Sequence, residues 1–120
     1  MKELKSISEV EALLDASRTR SLPAVVLVYS DGCPPCAELH PKVEKVARER
    51  TDIDFYAFNA ERYMQAQIDP EKANEELTVF FASLELQFFP TQIFIPRTGR
   101  YELVPGTKQE IIDKALARLL

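Results

Sequence analysis

The chain is short of the features that mark out special classes of protein. It has three glycines and no low-complexity run in 120 residues, which excludes a disordered or linker-like chain. It has no excess of basic charge: 15 Lys and Arg stand against 19 Asp and Glu, so nothing draws it to nucleic acid or to an anionic membrane surface. No apolar run approaches the roughly 20 residues that a membrane-spanning helix needs. The opening segment Met1-Lys2-Glu3-Leu4-Lys5-Ser6 is charged and lacks the apolar centre of a signal peptide, so the expected compartment is the cytoplasm. No internal repeat is present. One His and two Cys are too few to close a four-ligand zinc site within one chain, so no metal is expected. What remains is a composition ordinary for globular proteins, 46% hydrophobic and 28% charged. The length suits a single domain over residues 1–120 with its own core.

The two cysteines stand together as Cys33-Pro34-Pro35-Cys36. They follow the apolar run Val25-Val26-Leu27-Val28 and precede an amphipathic segment, Ala37 to Arg50. A strand that delivers C-x-x-C to a helix N-terminus is a redox arrangement with a mechanism. Unpaired N–H groups and partial positive charge at the helix end favour a thiolate over a thiol, and the thiolate is what attacks a disulfide. Cys33 is therefore the expected nucleophile, at the N-cap, with small Gly32 before it leaving access. Pro34 and Pro35 carry no N–H, so fewer donors reach the sulfur than non-proline residues would supply. Cys36, one turn on, is the expected resolving thiol, more buried and protonated at rest. Its proton must go to water, Asp31 or His40. His40 shares its helix face four residues on, but reads first as an ordinary helix residue. A structural disulfide or two idle thiols fit this strand–helix context poorly.

The other elements follow from periodicity and punctuation. Lys2 to Lys5 reads as a short strand. Ser8-x-x-Glu11 has the form of a capping box and opens a helix over about residues 8–18. Ala24 to Tyr29 is a strand covered on both faces. Pro41 should kink the helix of residues 37–50, and Ile53 to Phe58 is the next strand. This β-α-β-α-β order implies parallel strands with right-handed crossovers. Residues 60–67 carry no clear signal. Asp69-Pro70 starts a helix with Ala73, Leu77, Phe80, Phe81 and Leu84 on its apolar face and Lys72 and Glu76 on its polar one. Thr91–Ile95 and Arg100–Val104, joined by Pro96-Arg97-Thr98-Gly99, form an antiparallel hairpin. Thr107 then caps a last helix with Ile111, Ile112, Ala115, Leu116 and Leu119 inward. The fold class is α/β, a central mixed sheet flanked by helices.

On four local matches the chain resembles the thioredoxin-like family: strand–C-P-P-C–helix at residues 24–50, Pro41 five residues after Cys36, Phe89-Pro90-Thr91 before a strand, and Gly106 before the last helix. The order of elements agrees along the whole chain, with an enlarged helical segment before Pro90. The resemblance implies the thioredoxin-like fold and thiol–disulfide exchange, with reduction of protein disulfides as the expected direction. It implies a cis peptide before Pro90 and a substrate backbone paired with Phe89, a form of strand addition. Gly32, Pro34, Pro35 and Gly106 would border the substrate. No bound cofactor is implied; the partners are disulfide-containing proteins and a reductase or thiol that recycles the pair, and the expected state is a monomer. The departures are equally specific. The family's tryptophan before the first cysteine is Gly32 here, and the glycine usual between the cysteines is Pro34. The family's buried Asp and Lys match Leu27 and Ala57, so both halves of an ion pair are missing together and the layer under Cys36 is expected to be dry and apolar. A glutathione-using, glutaredoxin-like enzyme is the first alternative, weakened because no Gly-Gly-Asp-type segment follows Pro90. The second is a partner-binding module that uses Phe89 and the extra helix; an intact C-x-x-C argues against it.

Overall fold

The computed structural model describes every residue from Met1 to Leu120. Five strands form one sheet: β1 (Lys2–Leu4), β2 (Ala24–Tyr29), β3 (Asp54–Asn59), β4 (Thr91–Ile95) and β5 (Glu102–Pro105), in the order β1-β3-β2-β4-β5. β1, β3 and β2 run parallel, and β4 and β5 are antiparallel additions on the other side of β2. The unbroken apolar run of β2 is explained by its place: all six residues are buried, because helices cover both faces of the sheet's centre.

Period-two alternation sorts the side chains of β2 into two cores. Val25, Leu27 and Tyr29 face α2 (Pro34–Glu49) and α5 (Gln109–Leu119), where they meet Leu39, Val43, Ile112 and Ala115. Ala24, Val26 and Val28 face α1 (Ile7–Leu14), α3 (Ala60–Gln65) and α4 (Pro70–Leu84), where they meet Val10, Ala60, Leu77 and Phe80. Each large apolar side chain closed off in this way contributes about 1.5–3 kcal/mol relative to exposure.

Local chemistry shifts several boundaries from the expected ones. The first helix is capped by Ser6, two residues before Ser8. Ser6 Oγ accepts the Glu9 N–H at 3.1 Å, and the Glu9 carboxylate accepts the Lys5 N–H at 3.1 Å. This frame brings Ile7 into the first turn, against the core. The helix ends at Leu14 because Asp15 takes the N–H and the hydroxyl of Ser17, at 3.0 and 2.6 Å, a local turn that competes with the helix. α2 begins at Pro34 rather than Ala37, since prolines at the first two helical positions sacrifice only N–H groups that have no intrahelical partner. Residues 60–65 form α3, with Asn59 Oδ1 accepting the Arg62 N–H at 3.0 Å. The Asp69 cap and Pro70 start are as expected, Asp69 accepting the Lys72 N–H at 3.2 Å. β5 lies at residues 102–105, not 100–104. α5 starts beyond Lys108, and Thr107 makes no cap. Its buried stripe is Ile112, Ala115 and Leu119; Ile111, about 100° off that stripe, is 46% exposed, contrary to expectation.

Candidate active site

β2 ends at Tyr29, and three residues carry the chain to Cys33, the N-cap of α2. Cys33 has extended backbone angles, φ −124° and ψ 101°, which turn its sulfur back over the helix end. Its Sγ accepts the N–H of Cys36 at 3.3 Å. Pro34 and Pro35 offer none, so this is the first N–H that the helix presents. Cys33 and Cys36 are joined by a disulfide, with Cα atoms 5.2 Å apart. Cys33 is partly exposed, whereas Cys36 is 1% exposed. An incoming group can therefore reach Cys33 and not Cys36. Gly32, Pro34 and Pro35 are exposed around it.

The pairing of β2 with β4 brings the second half of the site alongside. Thr91 lies opposite Val28, which sets Pro90 at the end of β2 from which the chain runs on to Cys33. The Phe89–Pro90 peptide is cis. The Pro90 carbonyl accepts the N–H of Gly106 at 2.9 Å, and Gly106 has φ +84°, a conformation that favours glycine. Cys33 and Phe89 both pack against the core cluster that contains Cys36. Residues 33, 36, 89, 90 and 106, scattered over the sequence, thus share one end of the sheet.

Of the two adjacent phenylalanines, Phe89 turns inward and Phe88 is 62% exposed. Phe89 meets Phe81 of α4 edge-on, ring centres 5.6 Å apart. These two rings, with Met64, Asn74 and Thr78, line a cavity of about 310 Å³ between α3, α4 and the Pro90 segment. Lys72 and Glu76, on the polar face of α4, line a groove with Ser8 and Glu11 beside α1 and lie away from this cavity. α4 meets the site through Asn74, Thr78 and Phe81, about half a turn around the helix from Lys72 and Glu76.

Beneath the cysteines, Leu27 and Ala57 are register partners on neighbouring strands and both are fully buried. The expected apolar layer is incomplete, however. On the other side of Leu27 lies Gln92, 2% exposed, and its Nε2 has no hydrogen-bond partner in the protein. A void of about 20 Å³, room for one water, borders this side chain.

A polar network lies on the opposite flank, and its cation, Arg62, comes from residues 60–67, which show no clear signal in the sequence. Asp31 accepts from Asn59 Nδ2 at 3.0 Å and from Arg62 Nε at 3.1 Å. These bonds, the Arg62 one foremost, hold the Asp31 carboxyl below the usual carboxylate range. The Tyr29 hydroxyl donates to Glu3 at 2.8 Å. Burial, and then that bond to Glu3, push the phenol up to about 12. The His40 ring lies 4.9 Å from the Tyr29 ring, with Nδ1 2.6 Å from Glu44 Oε1.

Comparison with known proteins agrees with this geometry. A family model described as a thioredoxin-like domain matches residues 10–120. Thioredoxin H8 of Arabidopsis thaliana is 22% identical over 114 residues, 95% of this chain and 68% of that protein. A thioredoxin of Borreliella burgdorferi is 29% identical over 89 residues, 73% of this chain and 64% of that protein. In structure, Fasciola hepatica thioredoxin superposes with a TM-score of 0.71 at 22% identity, covering 100% of both chains.

Proposed function

The chain belongs to the thioredoxin-like domain family and is a thiol–disulfide oxidoreductase with a Cys33–Cys36 pair; we propose that its working direction is the reduction of protein disulfides. In this reading Cys33 attacks a substrate disulfide, a mixed disulfide forms, and Cys36 resolves it and releases the reduced substrate. The difference in exposure between the two sulfurs is the observation that supports this order. The substrate chain pairs its backbone with Phe89 beside Pro90, bordered by Gly32, Pro34, Pro35 and Gly106. The cycle needs no bound cofactor, and a reductase or thiol in the cytoplasm returns the pair to the dithiol. The protein acts as a monomer. No helix is long and apolar enough to cross a membrane.

The direction has a physical basis at Cys33. A strongly oxidising pair is one whose reduced form is stabilised. Here the sulfur receives the Cys36 N–H, and the two residues between are prolines without donors. Cys36 is 1% exposed and packs in the apolar core cluster. Little therefore stabilises the dithiol, and the disulfide should be hard to reduce. Equilibration against a glutathione series should give a potential below about −240 mV, on the thioredoxin side of the glutaredoxin range. A value near about −180 mV, as in protein disulfide isomerase, would reverse the assigned direction.

The cavity beside Phe89 provides a second test, of recognition by α4. Thr78→Arg fills it from an exposed position without touching the cysteines. It should lower kcat/KM for a protein disulfide about fivefold, equivalent to about 1 kcal/mol, and leave a small disulfide within about twofold. Lys72→Glu, on the α1 side, should leave both unchanged. Equal effects of Thr78→Arg on the two substrate sizes would remove α4 from recognition.

A further inference from the structure

Resolution by Cys36 requires that its proton leave, yet nothing beneath it can take one. Leu27 and Ala57 are hydrocarbon, and the buried amide of Gln92 is no base at neutral pH. The outlet lies to the side. A cleft of about 290 Å³ opens on the flank of α2, lined by Cys36, His40, Tyr29, Asp31, Glu3 and Arg62. We infer that His40 is the proton acceptor for Cys36 across this cleft, in place of a carboxylate beneath the cysteines; this rests on the exchange cycle proposed above.

The other groups facing the cleft are committed elsewhere. Asp31 accepts from both Asn59 and Arg62 and is held in its ionised, weakly basic form. Tyr29 keeps its proton, burial and Glu3 pushing it up to about 12. Glu3 is occupied by the Tyr29 hydroxyl. Arg62 is a permanent cation, its pKa raised further by Asp31. His40 is left. It stands four residues after Cys36, one turn further along the same helix face, and both residues line the cleft. Glu44, four residues further on, lies 2.6 Å from Nδ1, which commits that nitrogen to the carboxylate and leaves Nε2 available to the cleft. The Tyr29 ring, 4.9 Å away, backs the imidazole and limits its rotation. A carboxylate behind an imidazole fixes the ring's orientation.

The step balances within the cycle. The Cys36 S–H proton passes through a cleft water to His40 Nε2. The Cys36 thiolate then attacks Cys33 Sγ, the Cys33–Cys36 bond forms, and the bond from Cys33 to the substrate sulfur breaks. The electron pair leaves on that sulfur. When a reductant later opens the disulfide, the imidazolium returns its proton to Cys36.

Stopped-flow reaction of the reduced protein with the symmetrical disulfide of thionitrobenzoate separates the two thiols. Attack by Cys33 releases the first coloured thiolate in a second-order phase, and attack by Cys36 releases the second in a first-order phase. His40→Gln should slow the first-order phase at least about tenfold near neutral pH and leave the second-order phase unchanged. In the wild type the first-order rate should rise to a plateau through the pH range in which imidazoles ionise, and the variant should lose that inflection. Free imidazole should restore the step in His40→Gln and leave the wild type alone. An unchanged first-order phase, equal slowing of both phases, or no rescue would overturn the assignment. So would a wild-type rate that climbs through the neutral range without an inflection, a result that needs no variant to fold. The absence of any first-order phase in the wild type would instead remove Cys36 as the resolving thiol, and the inference with it.

Discussion

Cys33→Ser will have no measurable disulfide reductase activity, and Cys36→Ser will accumulate mixed disulfides with protein substrates through Cys33. The two outcomes differ because the two sulfurs stand in different environments. Cys33 is the partly exposed N-cap with the helix end beneath it, so its removal takes away the only accessible nucleophile. A serine hydroxyl ionises far above neutral pH and does not replace a thiolate. Cys36 is closed off, so its removal spares the first attack and abolishes the intramolecular second one. Turnover should fall by roughly a thousandfold or more in Cys33→Ser, while Cys36→Ser should retain one stoichiometric reaction. Mass spectrometry of trapped adducts and a steady-state assay check both. Full turnover by Cys33→Ser, or adducts formed only through Cys36, would invert the roles.

Leu27→Asp will destabilise the fold by about 3–5 kcal/mol at neutral pH, the cost of an unpaired buried charge. Leu27 is fully buried in the middle of β2, and its parallel partner is Ala57. Adding Ala57→Lys should recover at least about 1 kcal/mol of the loss, read as the coupling in a double-mutant cycle. Zero coupling would mean that the two positions do not face one another. Burial raises the pKa of the introduced carboxyl in the folded state. The unfolded chain then ionises first, and the penalty grows as pH rises above about 4 and disappears below it. Gln92 modulates this result. Its unpartnered Nε2 lies across the strand from Leu27 and can donate to the new carboxylate, so Gln92→Leu should make Leu27→Asp costlier still. Chemical denaturation at pH 7 and pH 5 measures all of these terms.

Much of this molecule is legible in the chain because its signals are local. β2 is a continuous apolar run, β4 ends in the apolar triplet Ile93-Phe94-Ile95, and the bounds of both strands follow from those local signals. Asp69-Pro70 starts a helix by its own hydrogen bond and fixed φ, whatever surrounds it. Cys33 belongs at an N-cap because prolines follow it, and the same two prolines determine that Cys36 supplies the N–H. Leu27 and Ala57 announced by their identity alone that no buried ion pair lies there. Where local signals compete, the chain alone does not choose: Ser6 and Ser8 both offer a cap three residues before a Glu, and the packing of Ile7 favours Ser6.

Tertiary structure decided the rest, and for one reason: these features depend on pairs of residues distant in sequence. The register of β2 against β4 placed Pro90 and Gly106 beside the cysteines and set Gln92 against Leu27. The rotation of α4 about its axis turned Thr78 and Phe81 towards Phe89 and sent Lys72 towards α1, a choice that a helical period leaves open because it repeats identically around the cylinder. The closure of α3 over the end of β2 tied Arg62 to Asp31 and so left His40, with its helix neighbour Glu44, as the free base beside Cys36. A sequence prescribes what each residue can do alone or within one turn of its own helix. Which groups remain available to a buried thiol is settled by what folding brings against them.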